Sequence, residues 1–76
     1  MNNKKNNRIW IWMQENNLHK AVYTPNQQTL VVYNERDEIV LKRNGITTAQ
    51  FTNLEAMFVS IGARRIDGRK EPFTYL

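Results

Sequence analysis

The 76-residue sequence predicts an α+β fold: an antiparallel β-meander of about four strands, one long helix packed on one sheet face, and a short C-terminal strand or hairpin. Three observations carry that expectation. Residues 46–62, ITTAQFTNLEAMFVSIG, hold helix start and stop signals around an apolar repeat of helical period. Four short runs before them are β-branched, aromatic or alternating, as strands require. The three glycines, Gly45, Gly62 and Gly68, all fall where one element would give way to the next.

Taken in order, residues 1–7 are Asn- and Lys-rich and have no apolar group after Met1 to offset the entropy of ordering, so they read as a flexible tail before a single small domain at 8–76. Residues 8–14 alternate, with Ile9, Ile11 and Met13 on one strand face and Arg8, Trp10, Trp12 and Gln14 on the other. Glu15, Asn16 and Asn17 have turn chemistry, and a second strand follows at about 19–24 before Pro25-Asn26 interrupts it. Residues 29–33 and 39–43 flank a polar connection of hairpin length. In the latter run Ile39 and Leu41 are expected on one face, with Glu38, Val40 and Lys42 on the other.

The helix comes next. Thr47 with Gln50 matches a capping box, and Ile46 with Phe51 matches a hydrophobic staple. Phe51, Leu54, Phe58 and Ile61 form one apolar stripe, and Gly62 can take the left-handed conformation that stops the helix. Beyond it, residues 63–66 and 71–76 flank Asp67-Gly68 as the arms of a final hairpin, with Pro72 confining the second arm to an edge.

Chemistry is constrained by what the chain lacks. It has no cysteine, one histidine (His19) and one serine (Ser60, inside the helix), so no Ser/His/Asp or Cys/His constellation can be assembled and no catalytic residue is assigned. Glu35, Asp37 and Glu38 lack the spacing of a calcium loop and read as a solvated hairpin tip. No phosphate-binding glycine loop is present. The expectation is therefore a non-enzymatic binding module with no metal or cofactor. The longest apolar runs fall far short of the ~20 residues that cross a bilayer, and the absence of cysteine suits a reducing cytoplasm.

Three surfaces are candidates for binding. The net charge of +4 is concentrated at the chain ends, in Lys4, Lys5 and Arg8 and in Arg64, Arg65, Arg69 and Lys70. With Lys42, the C-terminal cations can neutralise phosphates, or else protect an edge hairpin from aggregation. Trp10 and Trp12, two residues apart on a strand, share a face: they either fill the core or a dimer contact, or lie beside Tyr33 and Lys42 on the uncovered sheet face as a stacking platform for single-stranded nucleic acid. Thr52, Ala56 and Ser60 form a small uncharged ridge where a second copy or another protein can approach the helix closely.

Overall fold

Two residues at positive φ, Glu15 (54°) and Asn16 (68°), close the first hairpin and set the sheet's register. Only the tightest hairpin loop needs both of its central residues there. Strand β1 (Arg8–Gln14) therefore turns directly into β2 (Asn17–Thr24), which starts two residues earlier than its sequence suggests because Asn17 already pairs with Gln14. The computed structural model describes residues 7–67. The expected tail, Arg69, Lys70 and the second arm of the C-terminal hairpin thus lie outside the described residues, apart from Asn7 at the tail's end.

The β2–β3 connection places Pro25 at the second position of a turn closed by the Gln27 N–H donating to the Thr24 carbonyl (3.2 Å), where its fixed φ is an advantage. Strand β3 (Thr29–Tyr33) then runs into a loop organised by Asn34. The Asn34 Oδ1 accepts from the backbone N–H groups of Arg36 (2.8 Å) and Glu38 (3.0 Å), while Asp37 takes a positive φ. Strand β4 (Ile39–Arg43) follows. Here one expectation fails: Leu41 pairs with Val32 but Ile39 pairs with Tyr33, so Val40 is an extra residue in a bulge. A bulge breaks the alternation, and Ile39 and Leu41 end on opposite faces.

Helix α1 (Thr48–Ser60) is capped as its sequence predicts. The Gln50 N–H donates to the Thr47 hydroxyl (3.1 Å) and the Thr47 N–H to the Gln50 side chain (2.9 Å). At the other end Gly62 has φ 86°, its N–H donates to Val59 (3.0 Å), and the Ala63 N–H donates to Phe58 (2.9 Å). That pair of bonds is the Schellman arrangement. It places Ile61 at the cap, where it is exposed, so the core-facing stripe consists of the buried Phe51 and Phe58 and the partly buried Leu54, without Ile61.

Strand β5 (Arg64–Arg65) returns to pair with β1, giving an antiparallel five-stranded sheet in the order β4-β3-β2-β1-β5. The helix lies on one face of it. Between them sit Trp10, Ala21, Tyr23, Leu30, Phe51 and Phe58, all buried. Tyr23 stacks on Phe51 with centroids 4.3 Å apart, and its hydroxyl donates to the Ile46 carbonyl, so the largest polar group in the core is satisfied.

Candidate binding surfaces

The placement of the tryptophans decides which face is free. Trp10 is 7% exposed, lies 5.7 Å from Phe58 between ring centroids, and donates its indole N–H to Glu55 Oε2 (2.9 Å). Trp12 stacks on Phe58 (5.2 Å) and on His19 (5.7 Å). Both rings are therefore under or beside the helix, and the uncovered-platform placement is corrected. Residues 9–13 are apolar on both sides, so alternation cannot say which side the helix takes; the indole N–H of Trp10 finds its acceptor only on the helix.

The helix-free face is read from the strand register, because directly paired residues point the same way. One row across the strands runs Arg64, Ile11, Lys20, Tyr33, Ile39; the next runs Ile9, Val22, Val31, Lys42. Three cations, Lys20, Lys42 and Arg64, thus surround an aliphatic centre with one aromatic ring. Lys20 Nζ lies 5.3 Å from the Tyr33 ring centroid, a cation–π distance that holds the two side chains together. No acidic residue occurs at these strand positions. Lys42 and Tyr33 are where the sequence reading put them, whereas Lys20 was missed because it sits beside His19 in a strand with no other charge to mark it.

The cations gathered from the chain ends are less available than their number suggests. Arg8 is on the helix side, where its guanidinium meets Glu55 Oε1 (3.0 Å) and the Thr52 hydroxyl (3.3 Å). Arg65 faces the same side as Trp10 and makes a two-armed contact with Asp67, Nε to Oδ1 at 2.8 Å and Nη2 to Oδ2 at 3.0 Å. Burial by itself would raise the Asp67 carboxyl, but the Arg65 hydrogen bonds and the Ile9 N–H together hold it below the ordinary value. The same contact raises Arg65. Arg64 alone of this pair faces the helix-free side without a carboxylate in ion-pair range among the described residues.

On the helix side a groove of about 600 Å³ opens beside the helix, over β3 and β4. Thr52, Ala56 and Ser60 are exposed on the helix's outer face together with Val59. Glu55, the one charge in α1, turns inward to Arg8 and Trp10, so that outer face carries no charge.

Comparison with protein-family models, curated proteins and solved structures gave no match to this chain. Its surfaces are read from their chemistry. Among the described residues there is no group of three or more metal-ligating side chains, and no helix long and apolar enough to cross a membrane. His19 contacts the Asn17 carbonyl (3.1 Å) and the Trp12 ring, with no nucleophile among those partners. In the β3–β4 loop, Glu35 accepts from the Leu18 N–H of β2 (3.3 Å) and Glu38 from Asn34 Nδ2 (3.0 Å).

Proposed function

We propose that this protein is a small non-enzymatic binding module that takes single-stranded nucleic acid on the helix-free face of its sheet. The observation that carries the reading is that Lys20, Lys42 and Arg64 share with Tyr33 a face whose strand positions hold no carboxylate. From β5 to β4 that face is about 19 Å across, enough to carry a few nucleotides running across the strands. The cations neutralise phosphates, Tyr33 offers a ring for stacking, and the aliphatic centre of Ile11, Val22 and Val31 receives apolar base edges. The cytoplasm, where such partners occur, is part of this reading.

Anisotropy of a labelled oligonucleotide tests it. Three phosphate contacts on a single strand give a log–log salt slope of about −2, and Tyr33→Ala weakens binding by roughly 1–3 kcal/mol without changing that slope. Absence of binding at low salt, or binding indifferent to Tyr33, counts against the reading.

The uncharged outer face of α1 favours a second one, self-association through Thr52, Ala56 and Ser60 with Val59. Ala56→Arg then converts an oligomer to a monomer in sedimentation, whereas a wild-type monomer at high micromolar concentration removes this reading.

A further inference from the structure

The groove beside the helix has a geometric origin. A helix about 10 Å wide cannot cover a sheet whose outer strands are about 19 Å apart, and α1 is drawn over β1 and β2 by its contacts with Trp10, Trp12 and Tyr23. The helix-side residues of β3 and β4 are left with a helix wall on one side only. The resulting space of about 600 Å³ has a floor of Leu30, Val32 and Leu41 and a wall of Leu54, Met57 and Phe58. Its volume is that of a small-molecule site, which typically spans about 300–1,000 Å³.

Its polar groups are confined to the two ends. Arg43 and Asn44 lie at the end where β3 begins, since Arg43 pairs with Leu30, and Gln14 and His19 lie at the other. Among the described residues no carboxylate lines the groove, and Arg43 has no acidic partner within ion-pair distance. We propose that this groove binds a single-chain amphiphile with an anionic head, a medium-chain carboxylate, with its tail along the Leu30–Phe58 channel and its head group on the Arg43 guanidinium. The apolar walls favour a hydrocarbon body, and the one unopposed guanidinium among them selects a negative head over a neutral or cationic one.

The test uses the full chain with decanoate, and with decanol as its uncharged counterpart, at concentrations below those at which either self-assembles. Intrinsic fluorescence reports on Trp12, which lines the groove. The expected result is a saturable response to decanoate, with decanol about tenfold weaker, as a charge-assisted contact implies. Arg43→Gln brings decanoate down to the level of decanol and leaves decanol unchanged. Met57→Trp, at a half-exposed position where folding is not at stake, narrows the groove and weakens both. The proposal is overturned if decanoate gives no saturable response, if its affinity is indifferent to Arg43→Gln, or if sedimentation shows that the response comes only from a dimer of the chain covering the groove.

Discussion

Glu55 shows how one side chain can tie a helix to a strand. One carboxylate oxygen accepts from Arg8 (3.0 Å) and the other from the Trp10 indole (2.9 Å), so the helix's single charge is spent on β1 and not on solvent. Glu55→Ala strands a half-buried guanidinium and a buried indole N–H together, and chemical denaturation is expected to show a loss of about 1–3 kcal/mol. An effect near zero means that neither bond forms in solution. Asp67 does a comparable job at the sheet edge, holding the Ile9 N–H (2.8 Å) and Arg65 at once. Because its folded value lies below the ordinary 3.8, the stability it contributes is fully present above that value and is lost as pH falls through the depressed one. The stability difference between wild type and Asp67→Asn should accordingly shrink as the pH is lowered from about 5 to about 2, and a difference that persists at the acid end contradicts this role.

At the scale of elements, local chemistry and packing make separable contributions. Phe58 touches both tryptophans and Phe51, so Phe58→Ala empties the centre of the helix–sheet contact and is expected to cost about 3–5 kcal/mol in a urea melt. Thr47→Ala removes one cap bond and should cost about 1 kcal/mol. Equal, mild effects would mean that the helix does not sit where Phe58 is central. The same separation explains which features are legible in the sequence. The capping box and the Gly62 stop were legible because their partners lie within a few residues. The Val40 bulge was not, since it arises from how β4 meets β3 after a loop closed by Asn34. Nor was the side of β1 that the helix takes: Ile9, Ile11 and Met13 are as apolar as Trp10 and Trp12, and only the distant Glu55 and Phe58 choose between them.

At the scale of the fold, the described residues form a five-stranded sheet with one 13-residue helix, which covers one face in part and leaves the other without a covering element among them. That arithmetic was available from the strand and helix count; the identity of the open face was not, and the aromatic ring that shares that face with Lys20 and Lys42 is Tyr33, not the tryptophan pair. Charge shows the same limit. Composition placed the basic residues at the chain ends, and the fold does bring Arg8, Arg64 and Arg65 to neighbouring positions on β1 and β5, yet it spends Arg8 on Glu55 and Arg65 on Asp67. Among the described strand residues, the cations left on the helix-free face are Arg64, Lys20 and Lys42, while Arg43 lies on the helix side. The central claim is that this face, and not the helix side, meets single-stranded nucleic acid. A heteronuclear NMR titration of the labelled protein with a short oligonucleotide at low salt tests it most directly: the account predicts that shifts concentrate at Ile11, Lys20, Val22, Val31, Tyr33, Lys42 and Arg64, while shifts confined to α1 and the groove, or none at all, would contradict it.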